Sequence, residues 1–508
     1  MPTTILLDGL RLTRRDFYAV VLEGRQVALA RRAHLAMRRS RALVEKLIAE
    51  KQVVYGVTTG VGSLSTEHIP PDHARALQLN VVRSHACGVG EPLSVAETRG
   101  LLLLRANTLA RGLSGVRPVI AEILCEFLNS RIHPVVPRRG SVGASGDLAP
   151  LAHVALALVG EGDVFHRGRR RPAATVMKSL GLKPVVLEAK EGLSLVNGTQ
   201  AMLSIGLLAL RDAEILADTA DISGALSLDA LRGSTRAFDV RLHEARPHPG
   251  QMLSACRLAR MIRGSAINKS HQGCARVQDA YSLRCMPQVH GAVRDALGYV
   301  RQVFETEMNS ATDNPLVFAA EREVISGGNF HGQPLALALD LAAIALTELG
   351  GIAERRVDRL VNPLTSELPA FLTRSPGLES GLMLAQVTAA ALASENKVLA
   401  HPASVDSIPT SGNKEDFVSM GMAAALKLQS VVANVRTILA IELLAACQAL
   451  DLLAPLKSGR LAERARSVVR RISPAVVSDR PLYRDIARIS ELVRQGELTK
   501  IVPPSLSS

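Results

Sequence analysis

Long segments rich in alanine and leucine dominate the chain after residue 200; they lie at 200–223, 284–309, 333–354, 379–400 and 418–453. Apolar residues surround several of these segments, which indicates helices that are buried on all sides. Hydrophobic residues make up 47% of the sequence but aromatic residues only 3%, so the core must be built from leucine, alanine, valine and isoleucine. Such side chains favour closely packed helices. We therefore predict an all-α fold, an elongated and mainly helical bundle with a smaller, loop-rich N-terminal region.

No linker rich in proline, glycine or serine divides the 508 residues, which indicates one continuous body with two regions. Residues 1–200 are predicted to form the N-terminal region, and residues 201–508 the long helical bundle. Within the N-terminal region we expect a short strand, Arg-rich helical sequence, two apolar helices and a hairpin, at Thr4–Leu7, Thr13–Lys51, Thr98–Leu109, Leu148–Gly160 and Gly162–Arg169.

The chain is strongly basic, with a formal net charge of +13. Binding to nucleic acid would use its arginine runs, Arg31-Arg32, Arg38-Arg39 and Arg169-Arg170-Arg171. These runs are scattered along the sequence, and no aromatic residues that could stack on bases interleave with them. The runs are therefore interpreted as solvated surface, and no nucleic-acid partner is predicted.

The cysteines and the chain start indicate a reduced, cytoplasmic protein. None of the six cysteines forms a CxxC pair, and Met1–Ile5 lacks a basic-then-apolar targeting signal. Cys274 and Cys285 do not combine with the nearby histidines at a zinc spacing, so no metal site is predicted. The apolar segments Pro334–Gly351 and Leu382–Leu399 carry charged residues, so no membrane span is predicted either.

One string of small residues carries the most chemical information, Gly140-Ser141-Val142-Gly143-Ala144-Ser145-Gly146-Asp147-Leu148-Ala149-Pro150. In one interpretation Ser145 caps a helix that begins near Leu148. In the other, the backbone folds back tightly because glycine has no Cβ, and the Gly146 nitrogen attacks the Ala144 carbonyl. Loss of the Ser145 hydroxyl as water would then give a conjugated methylidene-imidazolone ring, an electrophile made from protein alone. The two interpretations are compatible with each other.

At this string the sequence resembles the aromatic amino acid ammonia-lyases, and the histidine lyases are the nearest branch. The resemblance runs from Tyr55-Gly56-Val57-Thr58-Thr59-Gly60 to the helical sequence around 440–448, in the same order and at similar spacing. It implies that Ala144-Ser145-Gly146 forms 4-methylidene-imidazol-5-one (MIO) autocatalytically, without metal or diffusible cofactor. It also implies a small amino acid substrate and a homotetramer whose active sites take residues from three chains.

The same resemblance assigns roles to individual side chains. Tyr55 is the implied catalytic base, although a lone tyrosine in such a loop would more often be a packing residue. Arg284, in 277–285, is the implied clamp for the substrate carboxylate, because a guanidinium matches two carboxylate oxygens. Its motif neighbours Gln278 and Tyr281 are expected to contact substrate or order the ring. Without that motif, Arg284 would be read as a surface ion-pair partner.

Two further residues match the family's pocket. Asn197, in Leu195-Val196-Asn197-Gly198-Thr199-Gln200, resembles the residue that hydrogen-bonds near the ring and the substrate carboxylate. Because Asn-Gly is a common turn dipeptide, a turn is the alternative, and both uses can coexist. Phe330 corresponds to an aromatic residue that shapes the pocket beside the ring; alone it would be read as core.

His85 and Glu415 favour an imidazole substrate. A carboxylate accepts an imidazole N–H and a histidine pairs with the other nitrogen, whereas a phenyl ring would leave both polar groups unpaired, at about 1–3 kcal/mol each. Glu415 is also a candidate to help accept the departing proton. The alternatives are a structural histidine and a solvated acidic turn at Glu415-Asp416.

Four positions depart from the family pattern: Thr58, Val61, Lys414 and Phe417. They bear on the substrate more than on the reaction. The predicted activity is conversion of L-histidine to trans-urocanate and ammonia. A tyrosine or phenylalanine lyase is the close alternative, a related aminomutase is a more distant one, and a basic helical scaffold that has lost catalysis is the remote one.

Overall fold

The long alanine- and leucine-rich segments are helices, as predicted. The structure, a computed structural model, describes residues 4–60, 62–64, 66–272 and 277–502. In chain order its helices α1 to α20 are Arg14–Val21, Arg31–Ala49, Ala74–His85, Val95–Ala110, Pro118–Asn129, Leu148–Leu158, Ala173–Ser179, Glu191–Val196, Gln200–Ala230, Val240–Glu244, Pro249–Ile262, Ala266–Ser270, Tyr281–Arg284, Met286–Glu307, Gln333–Val361, Pro363–Ser366, Met383–Leu399, Gly421–Leu452, Arg460–Arg470 and Tyr483–Arg494. The predicted helical fold class is confirmed.

The strands of the described residues are short. In chain order β1 to β9 are Ile5–Leu7, Val27–Leu29, Val89–Pro92, His133–Pro134, Pro137–Arg139, Asp163–His166, Arg169–Pro172, Leu316–Phe318 and Glu323–Ile325. β1 pairs in parallel with β2, whereas the pairs β3–β5, β4–β6, β6–β7 and β8–β9 are antiparallel. The predicted hairpin is β6–β7, with His166 opposite Arg169.

The chain folds into two compact units. The first contains 1–208, 301–340 and 402–426, and the second contains 209–300, 341–401 and 427–508. The first unit therefore adds two later segments to the predicted N-terminal region 1–200.

The core of the first unit surrounds α4. A capping box starts this helix: the Ser94 hydroxyl accepts from the Glu97 N–H, and the Glu97 carboxylate accepts from the Ser94 N–H. Residues 101–104 are leucines, all buried. Gly100 lets the start of α9 approach closely, since a Cβ there would collide with the Ser204 hydroxyl.

In the second unit, α9, α15 and α18 contribute a buried polar cluster. The fully buried Arg356 donates to the carboxylate of Glu442, which also accepts from Ser223 and Ser227, each at 2.7 Å. A buried ion pair needs such additional hydrogen bonds to offset its desolvation.

Two helices, Gln333–Val361 and Gly421–Leu452, are long and apolar enough to cross a membrane by length and composition alone. Their most apolar windows are 61% and 72% buried inside the protein. Core helices of globular proteins have the same properties, so these two helices are weak evidence for a membrane span.

One predicted element is wrong. Helical sequence was expected from Thr13 to Lys51, but α1 ends at Val21, β2 follows, and α2 begins at Arg31. Val61 and Cys274, which the sequence predictions include, lie outside the described residues.

Candidate active site

The Ala144-Ser145-Gly146 loop lies between β5 and α6, with Ala144 and Gly146 buried and Ser145 half-buried. The glycines on either side of Ala144-Ser145 have left-handed backbones, Gly143 with φ 70° and Gly146 with φ 76°. A Cβ on Gly143 would collide with the Ser419 hydroxyl, and one on Gly146 with the Gly198 carbonyl oxygen. Only glycine fits at both positions, because side chains are strained at positive φ and have no space here.

Hydrogen bonds fix this loop from both sides. The Ser141 hydroxyl accepts from the Gly143 N–H at 3.1 Å and lies 3.2 Å from the Gly146 carbonyl oxygen. The Ser419 hydroxyl donates to the Gly143 carbonyl at 2.9 Å. The Met420 N–H donates to the carbonyl of Val142 at 2.8 Å.

Asp147 joins the loop to the start of α9. Its N–H donates to the Gly198 carbonyl at 2.6 Å, and its carboxylate accepts from the N–H groups of Ala201 and Met202 at 2.8 and 2.9 Å. Burial raises the pKa of Asp147 to about 6, although these hydrogen bonds act in the opposite direction. Asp147, and not Ser145, stands at the N-cap position of α6.

Ser145 instead contacts Glu415. Its hydroxyl donates to Glu415 Oε1 at 2.6 Å, while the Thr410 hydroxyl donates to Oε2 at 2.7 Å. Backbone bonds between Thr410 and Glu415 close the turn that carries this carboxylate. Glu415 is half-buried and Asp416 exposed, so Glu415 is not part of a freely solvated acidic turn.

The Tyr55 loop lies beside the Glu415 loop. The Tyr55 hydroxyl accepts from the Gly62 N–H at 3.0 Å. A Cβ placed on Gly62 would lie 3.3 Å from the Ser411 hydroxyl, four residues before Glu415. Thr58, which departs from the family pattern, bonds within its own turn by accepting from Val54 N–H at 2.9 Å.

His85 is the last residue of α3 and is half-buried. Its Nδ1 lies 3.1 Å from the Ser84 hydroxyl. Within the described residues Ser84 is the side chain that contacts His85. Binding of His85 to a substrate imidazole stays a prediction.

Asn197 follows α8 and is buried. Its Nδ2 donates to the Asn314 carbonyl at 3.3 Å, and its own carbonyl accepts from Arg105 Nη1 at 2.8 Å. Asn197 Oδ1 is buried and has no hydrogen-bond partner in the described part of the chain. Buried acceptors are normally satisfied, so this oxygen is available to a ligand or water.

Phe330 is half-buried in the turn before α15. The next residue, His331, receives the Gln333 N–H on Nδ1, so its Nε2 donates to the Phe417 carbonyl, 3.0 Å away. The His331 and Phe417 rings stack with centroids 6.2 Å apart. This contact ties the Phe330 turn to the Glu415 loop.

The three remaining predicted residues lie in the second unit. Arg284 ends α13, and its guanidinium carbon lies 4.7 Å from the centroid of the Tyr281 ring. Gln278 and Arg284 line a cavity of about 690 Å³. Gln278 and Tyr281 are exposed.

Sequence reasoning missed several residues that hold the loop: Ser141, Thr410, Ser419 and Arg105. Ser141 lies within the small-residue string 140–150, but the string does not by itself indicate a role for its hydroxyl. Ser419 follows Glu415 by four residues, and Thr410 precedes it by five. Arg105 carried the clearest signal, because it is a charged residue directly after four consecutive leucines in an apolar part of α4. Within 4–60, 62–64, 66–272 and 277–502, no group of three or more metal-ligating side chains was found.

Known proteins resemble this chain in both sequence and fold. The aromatic amino acid lyase family model matches residues 12–471. A histidine ammonia-lyase of Koribacter versatilis is 58% identical over 505 residues, covering 97% of this chain and 98% of that protein.

Solved structures agree with this placement. The histidine ammonia-lyase of Trypanosoma cruzi superposes with a TM-score of 0.92 at 43% identity, covering 100% of this chain and 96% of that one. A tyrosine aminomutase of Streptomyces globisporus gives 0.93 at 39%, covering 100% of both chains. The chain therefore belongs to the aromatic amino acid lyase family.

Proposed function

We propose that the protein deaminates L-histidine non-oxidatively to trans-urocanate and ammonia, the first step of histidine degradation. The observation that carries this proposal is the 2.6 Å contact between the Ser145 hydroxyl and Glu415, because it places a carboxylate at the centre of the small-residue loop. Several relatives that are more than half identical to this chain are also histidine ammonia-lyases, among them the Koribacter protein at 58% identity.

The loop is proposed to form MIO. Its surroundings fit such a ring: the backbone is tightly turned, Ala144 and Gly146 are buried, and collisions exclude side chains at Gly143 and Gly146. The Gly146 nitrogen attacks the Ala144 carbonyl carbon, and the carbonyl oxygen leaves as water with the Gly146 and Ser145 amide hydrogens. Ser145 then loses its hydroxyl and its α-hydrogen as a second water. The finished ring supplies the electrophile that the reaction requires.

Residues of the first unit supply the proton chemistry and part of the pocket. Tyr55 takes the β-proton of the substrate as general base. Glu415 accepts an N–H of the substrate imidazole and assists proton removal. His85 faces the other imidazole nitrogen after a side-chain rotation away from Ser84. The unpaired Oδ1 of Asn197 and the ring of Phe330 complete this side of the pocket.

Arg284 binds the substrate carboxylate, and its positive charge is held against the ring of Tyr281. Gln278 and Tyr281 contact the substrate or order the cyclised loop. Because these three residues lie in the second unit, the proposal includes a homotetramer in which neighbouring chains complete each site. Half-exposed apolar residues on α15, Leu337 and Ile344, support such an assembly. A cytoplasmic location agrees with the five free cysteines of the described residues.

The test is an assay of purified protein with L-histidine, L-tyrosine and L-phenylalanine, which follows absorbance of urocanate, coumarate and cinnamate. We expect urocanate absorbance to increase with L-histidine. The matched control is Ser145→Ala, which removes the leaving hydroxyl and should lower turnover by about 10³-fold or more, as expected when one member of a catalytic unit is lost.

An increase in coumarate or cinnamate absorbance, without an increase in urocanate absorbance, would support the ammonia-lyase reaction but contradict histidine as the substrate. A β-amino acid as main product would instead indicate an aminomutase, the activity named for the Streptomyces structure. Full activity of Ser145→Ala would contradict the proposal that Ser145 becomes part of the electrophile.

A further inference from the structure

Arg105 is an unusual residue on α4. It is fully buried directly after a run of four leucines, and its Nε and Nη2 have no hydrogen-bond partner within the described residues. Burial lowers the pKa of Arg105 to about 10, so the guanidinium keeps its charge at neutral pH.

Arg99 on the same helix provides the comparison. It is also buried, but its guanidinium donates to the backbone carbonyls of Val20 and Leu128 at 2.7 to 3.2 Å. The donors of Arg99 are thus satisfied, whereas two nitrogens of Arg105 are not. A buried charge with unsatisfied donors is unfavourable, and groups of this kind concentrate at functional sites.

The one nitrogen of Arg105 that is bonded is aimed at the Asn197-Gly198 turn. Arg105 Nη1 donates to the Asn197 carbonyl at 2.8 Å and to Gln200 Oε1 at 3.1 Å. A Cβ placed on Gly198 would lie only 2.6 Å from the same Nη1. The guanidinium therefore lies directly against Gly198.

Gly198 contacts the small-residue loop on its other side. Its carbonyl accepts from the Asp147 N–H at 2.6 Å, and the backbones of Gly146 and Gly198 form a parallel bridge. A Cβ on Gly146 would collide with that carbonyl. Gly198 is thus enclosed between the Arg105 guanidinium and the Gly146-Asp147 backbone.

We propose that Arg105 is a positioning residue for cyclisation of Ala144-Ser145-Gly146, acting through Asn197-Gly198. By fixing the Gly198 peptide from behind, Arg105 keeps Gly146 in the tight left-handed turn in which its nitrogen attacks the Ala144 carbonyl. The same bond orients Asn197, so Arg105 also sets the position of the free Oδ1 acceptor. This inference rests on the proposed function, because it concerns the formation of the ring.

The experiment measures the intact mass of the folded full-length protein, since cyclisation makes the chain lighter by two water molecules. The variants are Arg105→Met, Arg105→Lys and, as matched control on the same helix, Arg99→Met. Circular dichroism and thermal melting establish that each variant is folded. We expect the cyclised fraction to fall by about tenfold or more in Arg105→Met, since small misplacements of reacting groups cost rates of that order.

The control variant Arg99→Met should melt earlier than the unmodified protein yet be fully dehydrated. Arg105→Lys retains the charge and one donor, so its cyclised fraction early after induction should lie between those of Arg105→Met and the unmodified protein. A folded Arg105→Met that is dehydrated as completely as Arg99→Met would overturn the proposal.

If Arg105→Met does not fold, Arg105→Lys provides the test. Dehydration of Arg105→Lys that is slower than that of the unmodified protein supports the positioning role of Arg105, and dehydration at the same rate overturns it. Unmodified protein that is not dehydrated at all would instead reject the proposed function. The two failures are therefore distinguishable.

Discussion

At the scale of single residues, Glu415 is the side chain to which we assign both binding of the substrate imidazole and help in proton removal. It is half-buried, accepts from Ser145 and Thr410, and is proposed to receive an imidazole N–H. Replacement by glutamine retains the shape but removes the negative charge. We expect Glu415→Gln to lower kcat for histidine by about 100-fold, within the range for loss of a general acid–base group. Steady-state kinetics on urocanate formation measure this.

The neighbouring residue provides the control. Asp416 is exposed, so Asp416→Asn changes the same charge one residue away and should leave kcat within about twofold of the unmodified protein, as surface substitutions generally do. Equal losses in the two variants would mean that the net charge of the loop matters, and not the carboxylate beside Ser145.

The sequence predicted candidate residues for this site, but it did not predict which residues they contact. Glu415 was chosen for its chemistry toward imidazole, and nothing in the order of residues indicated that Ser145 and Thr410 would bind it. Partners separated by 270 positions, as Ser145 and Glu415 are, meet only through the tertiary fold. His85 is different, because its contact is with Ser84, its neighbour in the sequence. The chemistry predicted for His85, binding to an imidazole, did not indicate this contact.

At the scale of elements, one carboxylate connects the starts of two helices. Asp147 precedes α6 and accepts from the first N–H groups of α9, where the positive end of the helix dipole favours an anion. Burial nevertheless dominates, which raises the pKa of Asp147 from 3.8 to about 6. The folded state thus holds a proton at mildly acidic pH that the unfolded chain has already released.

This difference makes stability depend on pH with a defined sign. As the pH rises from about 4 to about 6, the contribution of Asp147 to the free energy of unfolding falls, because the folded state binds more protons than the unfolded state. Asparagine keeps the shape and does not titrate. The free energy of unfolding of Asp147→Asn, relative to that of the unmodified protein, should therefore rise by about 2–3 kcal/mol across this window. Urea unfolding at several pH values tests this, and a flat difference would contradict it.

Helix prediction succeeded where the apolar pattern is long and failed where a short strand interrupts it. The segments predicted at 333–354 and 418–453 correspond to α15 and α18. Between Thr13 and Lys51, however, Val27–Leu29 forms β2 because β1 offers it a parallel partner. Three residues are too few to show a period of two, so that strand could not be distinguished from helical sequence.

At the scale of the whole molecule, the predicted site residues are divided between the two units. Tyr55, Ser145 and Glu415 lie in the first unit, whereas Tyr281 and Arg284 lie in the second. The proposed tetramer accounts for this division if residues of different chains build one site. Such sharing could not be derived from the spacing of residues along the sequence, since the spacing is the same for contacts within a chain and between chains.

Mixed assemblies of two inactive variants test this sharing. Ser145→Ala and Arg284→Met should each be inactive alone, because one lacks the residue proposed to form the electrophile and the other lacks the proposed carboxylate clamp. When they are produced together in equal amounts, random assembly leaves about a quarter of the sites with both residues intact if these come from different chains. Histidine turnover should then recover to about that fraction of the unmodified activity.

The control mixture pairs Ser145→Ala with Glu415→Gln, whose native side chains meet within one chain at 2.6 Å. Every site in that mixture carries one defect or the other, so no recovery is expected. Recovery in the first mixture alone means that Ser145 and Arg284 of one site belong to different chains. If neither mixture recovers, Ser145 and Arg284 of one site belong to the same chain, which would contradict the proposed sharing of these two residues.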